Sequence, residues 1–115
     1  MMANPLEDFY YVYILQSEKD GKKYAGYTND LPSRFEAHQK GEVKSTKHRR
    51  PLKLIYFEAC LNQKDALKRE KYFKTHYGNM YLGNRLKSYL SCEGMLHRDF
   101  TGQVNQENTE DQNGN

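Results

Sequence analysis

Cysteine is nearly absent: Cys60 and Cys92 are the only two in 115 residues, far apart and without a CxxC pair. That argues against both a disulfide framework and metal–thiolate chemistry. No apolar stretch approaches the roughly 20 residues a spanning helix needs, so no membrane span is expected. The opening MMANPLEDF lacks a basic start followed by an apolar run, so no signal peptide is expected, and the expected location is cytoplasmic. No internal repeat is found. Apolar residues are also scarce, at 37%. The deficit is concentrated at the end, where TGQVNQENTEDQNGN from Thr101 onward holds one Val and no other sizeable apolar side chain. Such a segment cannot offset its own ordering entropy by burial. The chain therefore divides into an N-terminal extension (1–8), one domain (9–90) and a polar acidic tail (91–115), with disorder expected from about residue 101.

Charge follows the same division. Residues 1–90 carry 17 Lys+Arg and 10 Asp+Glu, a net of +7, while residues 91–115 carry a net of −4; the whole chain is +3. A body this basic suits a polyanionic partner, nucleic acid first, although ordinary solubility charge looks the same by count. Six cations (Lys40, Lys44, Lys47, Arg49, Arg50 and Lys53) stand in one connection against Glu42 alone. Lys44, Lys47, Arg49, Arg50 and Lys53 are the candidate phosphate-backbone contacts; a solvated loop is the competing reading.

Phe9 to Gln16, FYYVYILQ, is a continuous aromatic and β-branched run and reads as a buried strand. Asp20-Gly21 signals a two-residue hairpin turn, and Lys23 to Thr28 reads as the returning strand. Asn29-Asp30 offers an N-cap, Pro32 fits a first helical turn, and Gly41 stops that helix. Residues 42–50 read as a basic, turn-poor loop, and Leu52 to Ala59 as a third strand. Asn62 caps a second helix running to about Tyr77 and ending at Gly78-Asn79; a short helix from about Tyr81 to Leu90 closes the domain. The order is β-β-α-β-α-α. It predicts an α+β domain with a small three-stranded antiparallel or mixed sheet flanked by helices.

Some residues look out of place in these elements. The two-residue turn pairs Lys19 with Lys22, which sets Tyr13 opposite Thr28 and Tyr24 opposite Ser17. Tyr13, Tyr24 and Gly26 then share one sheet face, because side chains alternate with period two. Two phenols and a glycine make a polar concavity, unless the tyrosines are plain packing residues. Arg34 and His38 lie four apart on the first helix and flank Phe35, which should face the core. They could grip a phosphate; the competing reading is a snorkelling Arg and a solvated His. Glu70 sits inside the apolar stripe of Ala66, Leu67, Phe73 and Tyr77 on the second helix. A carboxylate there needs a partner or a metal; the alternative is a Glu70–Lys74 pair on a solvated edge.

These pieces, in their order and spacing, resemble the GIY-YIG nuclease superfamily over about residues 9–90. Tyr11-Val12-Tyr13 stands at the first motif and Tyr24-Ala25-Gly26 at the second. Thr28, Leu31, Arg34 and His38 follow, then Pro51 with the LIYFE strand, A-L-K-R-E-K with Glu70, and the stretch from Gly78 to Leu86. The resemblance implies a small stand-alone bacterial-type member. It implies a catalytic set of Tyr13, Tyr24, Arg34, His38, Glu70 and Asn84, with Asn79 the rival of Asn84, and Gly26 among the nucleic-acid contacts. Glu70 would be the sole protein ligand of one Mg²⁺ or Mn²⁺ ion. Three positions depart from the family pattern: Tyr11 replaces the leading Gly, Ala25 the middle Ile, and Tyr27 stands where some members have Lys.

The implied function is a metal-dependent endonuclease that hydrolyses phosphodiester bonds in DNA, in repair or recombination, with no obligate protein partner evident. A second reading is a nucleic-acid-binding module of the same fold that has lost turnover. A third is a protein-interaction domain whose acidic tail is the binding element.

Overall fold

The structure is a computed structural model, and it describes residues 4–92. Most of the acidic tail read from the sequence, from residue 93 onward, lies outside the described residues. The first apolar run forms β1 (Tyr10–Ser17) and the returning segment β2 (Lys23–Thr28). The third strand, β3 (Leu52–Cys60), pairs with β1 on its other side. The sheet order is β2-β1-β3 and both pairings are antiparallel. β1 is thus the central strand, and residues 12–17 of it are all buried. Burial on both faces is why its sequence runs apolar without alternation.

The hairpin register differs from the two-residue turn expected. Tyr13 faces Gly26 and Leu15 faces Tyr24, a shift of one residue pair. Ser17 explains the shift. Its Oγ accepts hydrogen bonds from the amides of Lys19 at 3.0 Å and Asp20 at 3.3 Å. Its carbonyl accepts from Gly21 N at 2.8 Å, and Gly21 has φ 80°. This side-chain turn closes a longer loop than Asp20-Gly21 alone. A shift of one pair preserves facing, so Tyr13, Tyr24 and Gly26 still share a side of the sheet.

Helix α1 (Leu31–Gln39) starts on Asp30, whose side chain accepts from Ser33 N, and Gly41 at φ 81° follows its end. The segment after it is not turn-poor. Lys47–Arg49 form one 3₁₀ turn, and Val43 and Thr46 are buried beneath it. Helix α2 (Gln63–Phe73) is capped by Asn62 and ends at Lys74, short of the Tyr77 expected. Thr75 then caps a separate α3 (His76–Arg85), its hydroxyl accepting from Gly78 N at 3.1 Å. Gly78-Asn79 is therefore interior to a helix and does not terminate one. Gly78 is needed there for space, since a Cβ would collide with the Tyr72 carbonyl. The break also turns Tyr77 out of the apolar stripe, leaving it 73% exposed. A short α4 (Lys87–Cys92) follows.

The core has two halves, one on each side of the sheet. Val12, Ile14, Ala25 and Tyr27 pack against Ala66 and Phe73 of α2 and Leu82 of α3. Tyr13, Leu15 and Tyr24 pack against Leu31 of α1 and Leu52. Helices thus cover both faces, and the polar groups of interest are distributed between them.

Candidate active site

Tyr13 is the centre of the polar cluster on the α1 side. It is 0% exposed, and its phenol lies directly over Gly26. A Cβ at residue 26 would overlap the phenol carbon and oxygen, so only glycine leaves room for this ring. The sequence reading gave Gly26 a nucleic-acid contact; the structure buries it and gives it this steric task.

Helix α1 supplies the partners of Tyr13. His38 Nε2 is 2.9 Å from Tyr13 Oη, and Arg34 Nε donates to the same oxygen at 3.4 Å. His38 is fully buried, so the solvated-histidine alternative does not hold. Phe35 between them is only half-buried. The Tyr24 ring meets the His38 ring edge-on at 5.3 Å between centroids, and the Tyr13 ring lies 6.4 Å from Tyr24. Tyr13, Tyr24, Arg34 and His38 therefore form one contiguous group. Burial pushes the Tyr13 phenol up to about 12, against the lowering effect of the Arg34 hydrogen bond and charge.

Glu70 comes from the other side of the sheet, on α2, and is 3% exposed. Its Oε2 lies 3.5 Å from Lys74 Nζ, yet among the described residues that oxygen has no hydrogen-bond partner. The i, i+4 pair considered from the sequence exists, but both members are buried and the edge is not solvated. Burial raises the Glu70 carboxyl above its ordinary range, with Lys74 and Lys71 opposing the shift. Burial likewise lowers the Lys74 ammonium, with Glu70 opposing it. Among the described residues no hydrogen bond or ion pair joins Glu70 to the Tyr13 group. Burial is the main cause that raises the Tyr27 phenol, with the Gln63 hydrogen bond opposing it.

The remaining candidates separate. Asn84 is exposed on α3, whereas Asn79 on the same helix is buried and its Oδ1 has no hydrogen-bond partner among the described residues. Lys44 and Lys47 are exposed. Arg49 is half-buried. Arg50 is tied back through its guanidinium to the carbonyls of Lys47 at 2.9 Å and Gln39 at 3.4 Å. The Lys53 ammonium sits 5.4 Å above the Tyr89 ring.

Sequence reasoning missed three participants. Thr46 Oγ1 lies 2.7 Å from His38 Nδ1, a contact between the loop and α1 that no local pattern announces. Tyr27, which receives a hydrogen bond from Gln63 of α2 at 2.9 Å, was noted only as a departure from pattern. Arg69, beside Glu70, forms a paired salt bridge to Glu58 of β3 at 2.9 and 3.0 Å under the rings of Tyr72, Phe73 and Tyr81. The helical alternation that turns Glu70 inward turns Arg69 toward β3, and that signal was available in K-R-E-K.

A small α+β scaffold thus holds a phenol, an imidazole and a guanidinium together on one face of its sheet, with a buried carboxylate on α2. The model of the GIY-YIG catalytic domain matches residues 9–87. The chain belongs to the GIY-YIG family, a family of nucleases. Among curated proteins it is 48% identical over 96 residues to a UPF0213 protein of Clostridium perfringens, covering 83% of this chain and 97% of that one. It is 47% identical over 74 residues to a UPF0213 protein of Pediococcus pentosaceus, covering 64% of this chain and 77% of that one. A UPF0213 protein of Staphylococcus aureus is 43% identical over 70 residues, covering 60% and 84%. No solved structure matches the chain. Among the described residues no helix is long and apolar enough to cross a membrane.

Proposed function

We propose that this protein is an endonuclease that hydrolyses phosphodiester bonds in DNA with one divalent ion, Mg²⁺ or Mn²⁺, and that it acts in DNA repair or recombination. The observation that carries the reading is the buried Tyr13 oxygen held between His38 Nε2 and Arg34 Nε.

Glu70 fits a hard cation. Its Oε2 is a buried carboxylate oxygen with no hydrogen bond among the described residues, 3.5 Å from Lys74 Nζ, and hard cations take oxygen donors of this kind. Among the described residues no group of three or more His, Cys, Asp and Glu side chains comes together. Glu70 would then hold the ion as its one protein ligand, the rest being water and substrate oxygens, as Mg²⁺ accepts. Such an ion supplies positive charge at the phosphoryl and leaving oxygens. Arg34 places a fixed cation beside the phosphate, where negative charge builds. Tyr13 would orient the attacking water through its phenol oxygen, which His38 and Arg34 hold in place. Tyr24 packs on His38 and helps align the substrate. His38 holds the Tyr13 oxygen in place. Asn79 or Asn84 supports the site from α3. Lys44, Lys47, Arg49, Arg50 and Lys53 would neutralise backbone phosphates, with Lys44 and Lys47 the least encumbered.

Nicking of supercoiled plasmid with added Mg²⁺ or Mn²⁺ tests this reading. The parent protein should nick the plasmid, and Glu70→Ala should lose cleavage while retaining most DNA binding. Equal cutting by Glu70→Ala would remove the metal assignment. One observation favours a binding module without turnover: Lys74 Nζ already supplies a positive charge 3.5 Å from Glu70. That reading predicts DNA binding with no nicking under either metal. A panel of branched, flapped, single-stranded and duplex substrates would then identify the preferred target.

A further inference from the structure

Adjacent residues of α2 take part in ion pairs of different kinds. The Arg69 guanidinium donates two hydrogen bonds to the Glu58 carboxylate, at 2.9 and 3.0 Å. Glu70 faces Lys74, one helical turn on, whose Nζ lies 3.5 Å from Oε2. That separation exceeds the about 2.7–2.9 Å of a charge-assisted hydrogen bond. Oε2 accordingly has no hydrogen-bond partner among the described residues, although both side chains are buried. Directional bonds join the first pair, and charge alone joins the second.

Burial gives this difference a consequence. A carboxylate out of water is costly without a positive charge beside it. An ammonium on a four-carbon stem is a compact point charge that can swing away, whereas a guanidinium forked onto a carboxylate is fixed in place. Lys74 also stands at the C-cap, where α2 ends. A divalent ion would need the same Oε2. Ion and ammonium would repel each other strongly there, because little water lies between them. They do not share the oxygen; one replaces the other.

We infer that Lys74 is a stand-in cation: its ammonium neutralises Glu70 while no metal is bound, and it withdraws when a divalent ion takes that carboxylate. This role rests on the metal assignment proposed above, and not on cleavage. The ion then enters by exchange, so Lys74 weakens its binding while keeping the metal-free protein stable. The 3.5 Å contact becomes the resting state of a metal site. A permanent Glu70–Lys74 pair is the opposite outcome.

Binding of Mn²⁺ alone, followed through the electron paramagnetic resonance signal of the free ion, compares the full chain with Lys74→Met, which keeps the stem and removes the charge. Lys74→Met should bind Mn²⁺ at least about tenfold more tightly. Lys71→Met, which removes an exposed charge from the same helix, should change the affinity by less than about twofold, since water screens it. Equal or weaker binding in Lys74→Met overturns the inference and leaves Glu70 as a metal ligand. Lys74→Met also strips Glu70 of its countercharge, so its thermal midpoint should fall, and Mn²⁺ should raise that midpoint by more than in the parent. The unaltered chain gives a second reading that needs no variant to be stable. Saturating Mg²⁺ should shift the ε-methylene NMR signals of Lys74, assigned with Lys74→Arg, more than those of Lys71. Lys74 signals that stay in place with Mg²⁺ bound overturn the inference. Absence of ion binding in every one of these proteins removes it together with the metal assignment. A protein that exchanges Lys74 for the ion and cuts no DNA would refute the nuclease reading and leave this one standing.

Discussion

Gly26 and Arg34 meet at the same phenol, one by making room and the other by donating to it. Gly26→Ala has no space for its methyl unless the buried Tyr13 ring moves. Overpacking of this kind costs about 1–3 kcal/mol, which thermal unfolding should show as a lowered midpoint. The displaced phenol should also weaken cleavage beyond what the stability loss explains. Arg34→Ala removes the fixed cation and one of the two contacts on the Tyr13 oxygen. By analogy with a lost oxyanion donor the expected cost is about 3–4 kcal/mol of transition-state stabilisation, read in single-turnover rates at saturating DNA. A drop confined to DNA affinity would instead make Arg34 a general phosphate contact. Arg34 and His38 were legible as a pair because helical spacing alone places them together. The burial of His38 was not, because it depends on Thr46 crossing from the loop to satisfy the second ring nitrogen. Glu70 was legible as a misplaced carboxylate, and its i, i+4 relation to Lys74 was equally plain. Spacing does not tell whether such a pair faces water or core, and here both are buried.

At the scale of elements, the break between α2 and α3 decides what the second helix can present. Thr75 makes that break by capturing the Gly78 amide. Thr75→Ala should lower stability by about 1 kcal/mol, a usual cost for a lost N-cap, measured by urea unfolding with an unchanged slope. The sequence reading ran α2 through to Tyr77 because Gly78-Asn79 looks like a stop and Thr75 lacks the acidic partner of a full capping box. The hairpin shows the opposite outcome: its register slipped by a pair because Ser17 built the turn, yet the shared face survived, since only an odd slip exchanges faces.

Glu58 of β3 and Arg69 of α2 join those two elements and respond to pH. Burial raises the Glu58 carboxyl, but hydrogen bonds from Arg69 and Tyr56 outweigh it and hold the group below its ordinary value. A carboxyl depressed in the folded state stabilises the fold fully above its unfolded pKa, near about 4.3. That contribution is lost as pH falls through the folded value. Glu58→Gln should therefore flatten the dependence of unfolding free energy on pH below about 4.3 and lower stability at neutral pH. An unchanged acid limb would show that this pair carries no net linkage.

For the whole molecule, the sheet is what divides and reunites the site. One face carries the Tyr13 group beneath α1; the other carries α2 with Glu70. The sequence showed the fold class and strand facing, but two-period and 3.6-period patterns do not reveal on which side of a sheet a helix docks. Glu70 and the Tyr13 group are carried by elements packed on opposite faces of one three-stranded sheet, and the proposal is that they serve one site. The direct measurement is Mn²⁺-induced broadening of NMR signals in the full chain, compared with Glu70→Gln. If these groups serve one metal site, Mn²⁺ should broaden signals of Tyr13, Tyr24, Tyr27 and Arg34 first, and Glu70→Gln should abolish the effect. Broadening centred on other carboxylates, or persisting unchanged in Glu70→Gln, would contradict the account.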